Sequence, residues 1–584
     1  MIQTYIDDKT TVIHYQKNMR EFSQRVMQKS AKYYSITFLL LGSIASASQI
    51  HAINSINTIE NQAFLPVFIA EFALNRGDYR HALSTYYNLV EHYNLPTLNE
   101  RALEIALESH DLQSALNIAR LWREQYPDDV PAMFYLAHLS LKANEYTLAA
   151  TTLDRILQID PNADLEGILA GIYPESAQAR QSLLHELNQI NMKNNPSILV
   201  LSAGLEAQNG DFENALKKVN TALRKSPNTP SFIILKANLY FAAGQPEAAF
   251  EWLKKSSQVQ KKPDVGLFYA QHLIRDQQSV IALQQLDTMI KKWPKNEQML
   301  FLAGITSIDL KKFDQAESYL KQLLRSENYQ DQAHYYLGVN AERNKDIQQA
   351  IELYKGTDGN FYTVSRKNLV SLYMAQNNPA DAIRLLTQER ISHPHQASFL
   401  YQLQAQILKQ INQTPTAIAL LDEAINQMDE DAELLYTQVL LFDPYKDRER
   451  LDNALNRLLE IEPNSPTFLN AYAYTLALQN RKLDLARQYA EQALQFAPKQ
   501  ASILDTLGYI AFLQNDFDVA IKNLAEAYSL SPSLSIGLRY AKALYVHGEI
   551  EKFSSLCEQL AVQFPNSDDV KQLQQLLIST SHIS

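Results

Sequence analysis

Prolines recur along the chain at intervals close to 34 residues. Four prolines near the C-terminus are separated by 35, 34 and 33 residues: Pro463, Pro498, Pro532 and Pro565. Such a period is typical of a solenoid of stacked helical hairpins, since each unit buries its apolar face only against its neighbours. The sequence therefore predicts an all-α repeat protein, and its function is more reasonably sought in a partner than in a reaction.

One period, which begins at Ala501, shows how the hairpin is encoded. A first helix carries small and large apolar residues on one face: Leu504, Leu507, Gly508 and Ala511. A second helix carries Ala520, Leu524 and Ala527 before Pro532 ends the unit. Antiparallel helices approach closely only where they cross at Gly or Ala, with larger side chains filling the space on either side. This pattern resembles the tetratricopeptide (TPR) motif.

The small residues of the two helices keep a spacing of 12 positions along the chain. The pairs are Ala70/Ala82, Ala137/Ala149, Ala203/Ala215, Ala237/Ala249, Ala270/Ala282, Ala303/Ala316 (one position longer) and Gly338/Ala350. We therefore predict a TPR helical-hairpin solenoid, a right-handed superhelix of roughly 11–15 repeats, some of them degenerate.

Three segments interrupt the pattern. Residues 162–195 contain Gly167, Gly171 and Pro174 where a regular repeat is helical, and residues 356–360 and 442–447 indicate loops or shortened helices. The predicted organisation is an N-terminal signal region (1–52), N-terminal repeats (53–161), a degenerate segment or hinge (162–195), central repeats (196–430), C-terminal repeats (431–565) and a C-terminal tail (566–584).

The net charge of −11 makes nucleic acid an improbable partner. The charge is uneven, because residues 211–325 contain 17 Lys and Arg but only 11 Asp and Glu. Solvated outer helix faces explain this excess most simply. The alternative is a basic section that steers an acidic protein into the superhelix.

The N-terminus has the organisation of a secretory signal peptide. Basic residues precede an apolar run at 36–47, which small residues follow. This run is too short to span a hydrocarbon core of about 30 Å, so no transmembrane span is expected. Cleavage is predicted after Ala47 or Ala52, with translation starting at Met27 or Met19. The alternative is an uncleaved interfacial anchor.

The only cysteine, Cys557, is predicted to be a small core residue of the last repeat. A lipoprotein needs a cysteine just after the apolar run, but Ser43 occupies the corresponding position. We therefore expect an exported periplasmic protein that is soluble or held peripherally at the envelope.

No catalytic, cofactor-binding or metal-binding residue is predicted. His185-Glu186 begins like a zinc-protease motif, but Gln189 stands where the second histidine belongs. The pair His393 and His395 flanks Pro394 at a repeat boundary and indicates a turn more than a metal site. No phosphate-binding glycine motif and no nucleophile elbow is present.

Protein binding is expected on the first helices, which line the concave groove of TPR arrays. The candidate positions are Asn470, Tyr474, Asp505, Tyr509 and Phe512. Stacking is predicted to place Asn470 beside Asp505 and Tyr474 beside Tyr509, where they could clasp a peptide backbone. The simpler alternative is that the tyrosines only pack against the neighbouring repeat.

Segments at both ends of the chain are more specific than the general repeat. Residues 70–79, 115–122, 469–477 and 504–509 together resemble a family of long TPR outer-membrane lipoproteins of Gram-negative bacteria. That family includes the adaptor of a periplasmic carboxyl-terminal-processing serine protease.

The resemblance implies a non-catalytic scaffold that delivers peptidoglycan hydrolases to such a protease. This chain lacks the lipidated cysteine of that family, so the resemblance does not imply outer-membrane anchoring. One alternative is a structural subunit of an envelope export or pilus-assembly machine, and another is an enzyme whose site joins residues distant in sequence.

Overall fold

The protein is all-helical in the part of the chain that can be described. The computed structural model describes residues 61–581 except 164, 166–173, 257–260 and 429, and it contains thirty α-helices and no β-strand over these residues. The fold divides into two compact units, one ending at Lys345 and one beginning at Asp346. The predicted signal region and its cleavage sites lie outside the described residues.

The first unit contains seven helical hairpins and two further helices. The helices are α1 (Asn61–Asn75), α2 (Tyr79–His92), α3 (Pro96–Glu108), α4 (Leu112–Gln125), α5 (Val130–Lys142), α6 (Tyr146–Ile159), α7 (Ala177–Gln189), α8 (Pro196–Gln208), α9 (Phe212–Lys225), α10 (Pro230–Ala242), α11 (Pro246–Lys255), α12 (Pro263–Arg275), α13 (Ser279–Ile290), α14 (Glu297–Asp309), α15 (Phe313–Leu320) and α16 (Gln330–Arg343). A 3₁₀ turn, Lys321–Leu323, extends α15. Helix α7 packs between α6 and α8, and α16 is the last helix of the unit.

The second unit contains six hairpins between two single helices. The helices are α17 (Ile347–Lys355), α18 (Tyr362–Ala375), α19 (Pro379–Ser392), α20 (Ala397–Gln410), α21 (Thr414–Gln427), α22 (Ala432–Val439), α23 (Arg448–Ile461), α24 (Pro466–Leu478), α25 (Leu483–Phe496), α26 (Ala501–Leu513), α27 (Phe517–Leu530), α28 (Leu534–His547), α29 (Ile550–Gln563) and α30 (Asp568–Ser581). Two 3₁₀ turns, Gly359–Phe361 and Pro394–Gln396, precede α18 and α20. The predicted helical-hairpin solenoid is confirmed.

The paired small residues lie at the helix crossings. Every alanine of the predicted 12-residue pairs has no exposed surface. At Gly508 an added Cβ would lie 2.6 Å from the Cγ of Leu524 on the paired helix. Gly304 and Gly537 are equally close to Leu320 and Leu560. The crossing therefore has no room for a side chain on the first helix at these points.

The turns and ends of the hairpins also follow one rule. Twelve of the thirteen hairpin turns contain a residue with positive φ: Gly77, His110, Asn144, Gly210, Gly244, Gln277, Lys311, Asn377, Asn412, Asn480, Asn515 and Gly548. Eight prolines follow the last residue of a second helix by two positions: Pro127, Pro161, Pro227, Pro394, Pro463, Pro498, Pro532 and Pro565. These prolines end the repeat as predicted, because proline cannot continue a helix.

The hairpins stack in two layers within each unit. First helices pack on the next first helix, as α10 does on α12 and α24 on α26. We call the surface formed by α18, α20, α22, α24, α26 and α28 the first-helix face of the second unit. The segment predicted as a C-terminal tail contains α30, which buries Val570 against the last hairpin.

The predicted irregular segments coincide with short helices. Helix α17 has nine residues and is followed by a loop, while α22 has eight and precedes the turn at 442–447. In that turn the carboxylate of Asp443 accepts hydrogen bonds from the backbone of Tyr445 and Lys446 at 2.9 and 3.0 Å. Of the predicted hinge at 162–195, the described part contains α7, and its role as a hinge stays a prediction.

Four lysines of the basic section at 211–325 lie at the ends of second helices, whereas Lys236 lies on the first helix α10. Lys254 and Lys255 end the second helix α11, while Lys291 and Lys292 directly follow the second helix α13. All four are exposed. Their position favours the simpler explanation, which is a solvated outer surface, over a basic lining of the groove.

Candidate protein-binding surface

An arginine joins side chains from three successive first helices of the second unit. Arg539 of α28 donates a hydrogen bond to the hydroxyl of Tyr474 on α24 at 2.7 Å and another to the carboxylate of Asp505 on α26. Its guanidinium carbon lies 4.9 Å from the ring centre of Tyr509 and 5.3 Å from that of Tyr474. Arg539, Tyr474, Asp505 and Tyr509 form what we call the Arg539 cluster.

The Arg539 cluster contains buried hydrogen-bonding capacity that the described residues do not use. Asp505 is 8% exposed, and its Oδ1 is buried without a donor among these residues. The Oδ1 of Asn470, one repeat earlier, is also buried without a donor among the described residues. Burial raises the pKa of Asp505, and Arg539 opposes this shift. A buried acceptor without a donor is costly, and sites of this kind are often explained by a ligand or water.

Aromatic rings extend the cluster along the same face. Phe512 is half-buried and meets Phe517 edge to face, with ring centres 5.8 Å apart. The amino group of Lys542 lies 5.6 Å from the ring centre of Phe512. Burial also raises the pKa of Tyr509. Half-buried rings with polar neighbours offer contact area to another polypeptide at little entropic cost.

The structure brings together three of the five predicted residues. Tyr474, Asp505 and Tyr509 meet through Arg539, whereas no hydrogen bond among the described residues joins Asn470 to Asp505. The tyrosines thus contact a neighbouring repeat, as the simpler alternative expected, and remain half-exposed. Arg539 was missed, although its position 34 residues after Asp505 is the signal that could have found it.

A depression on the first-helix face was also not predicted from the sequence. It lies between the first helices α18 and α20 and has a volume of about 490 Å³. Its floor is apolar, with Val370, Leu403 and Ile407 each less than 10% exposed. Lys367 and Gln406 are exposed at its rim. We call this depression the α18–α20 pocket.

Metal ligands, the cysteine and membrane-spanning helices bear on other functions that the described part of the chain could have. No group of three or more His, Cys, Asp or Glu residues there could hold a metal ion. Cys557 is 1% exposed, as predicted for a core residue, and burial raises the pKa of its thiol to about 11. No helix described by the structure has the length and apolarity that crossing a bilayer requires.

The fold and the candidate surface define a helical-hairpin solenoid that presents polar and aromatic side chains on its first helices. Models of the tetratricopeptide repeat match residues 106–172, 203–259 and 301–360. These matches identify tetratricopeptide repeats within the helical-hairpin solenoid, and TPR repeats imply protein partners.

Relatives occur in bacteria and in humans. A TPR repeat-containing protein of Pseudomonas aeruginosa, PA4667, is 24% identical over 80% of both chains. Human tetratricopeptide repeat protein 21B is 22% identical over 58% of this chain and 27% of its own length. Human superkiller complex protein 3 is 24% identical over 47% of this chain and 20% of its own length.

Solved structures align over most of the chain but with low similarity. The Cut9 and Hcn1 complex of the anaphase-promoting complex aligns with a TM-score of 0.31 and 11% identity over 91% of this chain and 98% of that chain. The Naa15 and Naa10 complex bound to a HypK domain aligns with a TM-score of 0.32 and 13% identity over 89% of this chain and 80% of that chain. These values carry no argument about partners.

Proposed function

We propose that this protein is a non-catalytic scaffold that binds other proteins on its first helices. The observation that carries the proposal is the Arg539 cluster, in which Arg539 joins half-buried tyrosine rings from the two preceding first helices on one face. A preformed surface of this kind binds by adding many non-covalent contacts, because the scaffold is already ordered when the partner arrives.

The proposed setting is the periplasm of a Gram-negative bacterium. The signal-like N-terminus supports export, and the relative in Pseudomonas aeruginosa, whose alignment covers 80% of both chains, supports a bacterial origin. The likeness of residues 70–79 and 504–509 to long TPR lipoproteins supports a finer role. In that role the protein presents peptidoglycan hydrolases to a carboxyl-terminal-processing serine protease, with peripheral rather than lipid-anchored attachment.

Affinity purification from the periplasm tests this role. The full chain, tagged at its C-terminus, is purified from a Gram-negative host after mild cross-linking, and its partners are identified by mass spectrometry. The proposal expects a carboxyl-terminal-processing protease and at least one wall hydrolase. Recovery of a membrane pore with export or pilus components, or of neither protein class, would contradict it.

The mature N-terminus tests the compartment separately. Intact-mass measurement of the purified protein is expected to show a chain that begins at Ser48 or Ile53, after cleavage at Ala47 or Ala52. A chain that retains the apolar run at 36–47 and remains in the cytosolic fraction would contradict export.

A further inference from the structure

Charge separates between the two layers of helices in the second unit. The six helices of the first-helix face carry five basic residues, Arg366, Lys367, Lys409, Arg539 and Lys542, and two acidic ones, Glu433 and Asp505. The six second helices paired with them carry thirteen acidic and eight basic residues. Of these charged residues, Lys367, Lys409, Lys542 and Glu433 are exposed, so the exposed charge of this face is +2 in an acidic protein.

The first helices of the other unit have the opposite balance. Helices α1, α3, α5, α8, α10, α12, α14 and α16 carry ten acidic and five basic residues. The basic first-helix face is thus a property of the second unit and not of the repeat.

Three of the five basic residues are available to a partner. Arg366 is paired with Glu389, and Arg539 with Asp505. Lys367, Lys409 and Lys542 are exposed, and none has a carboxylate within 4.0 Å among the described residues. The contact of Lys409 is a hydrogen bond of 3.3 Å to the carbonyl oxygen of Leu440. These lysines leave positive charge uncompensated along the face.

The α18–α20 pocket gives this charged face a depression in which polar rim side chains surround a small apolar floor. No carboxylate lines the pocket, whose single charged residue is Lys367 at the rim. The exposed amides of Gln406 and Gln410 lie beside the apolar floor and can hydrogen-bond to a peptide backbone. A volume of about 490 Å³ admits a large aliphatic side chain with part of its backbone.

We infer that the first-helix face of the second unit docks an acidic, extended segment of a partner protein, one of whose apolar side chains fills the α18–α20 pocket. The inference rests on the proposed function and adds the chemistry of the partner. The lysines favour acidic segments and increase the association rate, whereas the buried apolar contact mainly lowers the dissociation rate.

Peptide binding to the full chain tests the inference. The probe is a fluorescein-labelled 12-residue peptide of Glu, Asp and Ser with one central Leu, measured by fluorescence anisotropy. Two matched peptides replace its acidic residues with Lys, or its Leu with Ser. The acidic Leu peptide is expected to bind at least about tenfold more tightly than either, and less tightly as salt rises from 50 to 500 mM.

Charge reversal at the pocket rim gives the specific readout. Lys367→Glu is expected to weaken binding of the acidic peptide about tenfold at 50 mM salt. Lys522→Glu makes the same change at an exposed lysine of the second helix α27 and is expected to leave binding within about twofold. Equal effects of the two variants, or a preference for the Lys peptide, would overturn the inference.

Filling the pocket tests the apolar anchor. Gln406→Trp places a large ring at the mouth of the α18–α20 pocket and is expected to weaken binding of the Leu peptide but not of the Ser peptide. Gln488→Trp, at an exposed position of the second helix α25, is the control. Unchanged binding to Gln406→Trp would contradict the anchor.

The two proposals fail in different ways. If no peptide binds but the protease and a hydrolase are still recovered from the periplasm, the docking inference is wrong and the adaptor role stands. If the acidic peptide binds as expected but neither protein class is recovered, the adaptor role is wrong and the docking surface stands.

Discussion

At the residue scale, the stacking of hairpins depends on single small side chains. Gly508 on α26 faces Leu524 on α27, and an added Cβ would also lie 3.2 Å from the carbonyl oxygen of Ala520. Side chains in a packed core can move only slightly, so a methyl group here must displace Leu524 or separate the helices. The absence of a side chain at Gly508 therefore allows α26 and α27 to pack this closely.

Replacing Gly508 with Ala should destabilise the protein by about 1–3 kcal/mol despite the better helix propensity of Ala. A double-mutant cycle with Leu524→Ala isolates the cause, because the shortened side chain removes the clash. In that background, Gly508→Ala should be neutral or stabilising in urea unfolding. An equal penalty in both backgrounds would show that steric crowding is not the cause.

A histidine in the first unit provides a pH-dependent term. His272 stacks on Phe241 with ring centres 4.2 Å apart and lies 4.4 Å from Phe268. Burial, with Arg275 as a smaller cause, lowers its pKa from 6.5 to about 4. His272 therefore takes up a proton near pH 6.5 in the unfolded chain but only near pH 4 in the folded chain. As a result, the free energy of unfolding decreases as the pH falls from 6.5 toward 4.

Replacing His272 with Phe should remove this dependence. From pH 7 to pH 5, the wild type is expected to lose up to about 2 kcal/mol more unfolding free energy than the variant. Urea unfolding at the two pH values measures the difference. His334→Phe, at a histidine of the first helix α16 whose ring nitrogen lies 3.1 Å from the carbonyl oxygen of Gln330, is the control. Parallel losses in the wild type and in His272→Phe would contradict the argument.

At the element scale, one buried arginine holds an irregular segment of the solenoid. The Arg366 side chain of α18 donates hydrogen bonds to the carbonyl oxygens of Tyr354 at 3.1 Å and Thr357 at 2.7 Å, where α17 ends. It also pairs with Glu389 of α19 at 3.0 Å. Arg366 is 2% exposed, so its charge depends on these acceptors.

Replacing Arg366 with Ala should destabilise the second unit by about 3–5 kcal/mol, because the largely buried Glu389 carboxylate loses its guanidinium partner and the carbonyl oxygens of Tyr354 and Thr357 lose their donor. Hydrogen exchange should increase first in residues 356–361. Arg384→Ala removes an exposed i,i+3 pair with Asp381 in the neighbouring helix and should cost less than about 1 kcal/mol. Unchanged exchange at 356–361 would show that Arg366 does not hold the loop.

The elements themselves were largely predictable, whereas the contacts between them were not. Prolines mark where a helix ends, and paired alanines mark where the two helices of a hairpin cross. The repeats and the irregular loops could therefore be predicted from the sequence. Arg539 acts across 65 residues on Tyr474, and the α18–α20 pocket depends on the separation of two helices. Such features follow from packing, which a pattern of one repeat does not specify.

At the scale of the whole molecule, each unit presents a different surface on its first helices. That of the first unit is acidic overall, whereas that of the second is basic and contains both the Arg539 cluster and the α18–α20 pocket. A scaffold with two such surfaces can bind two partners of different charge, which is compatible with the proposed adaptor role.

Site-specific photo-cross-linking tests the central claim that partners bind on the first helices. A photoreactive benzoyl-phenylalanine is placed at Gln406 or Phe512 on first helices, and at Gln488 or Phe496 on the second helix α25 as matched controls. After irradiation in the native host, protein adducts are expected at the first two positions and not at the controls. Adducts only at the controls, or equally at all four, would contradict the account.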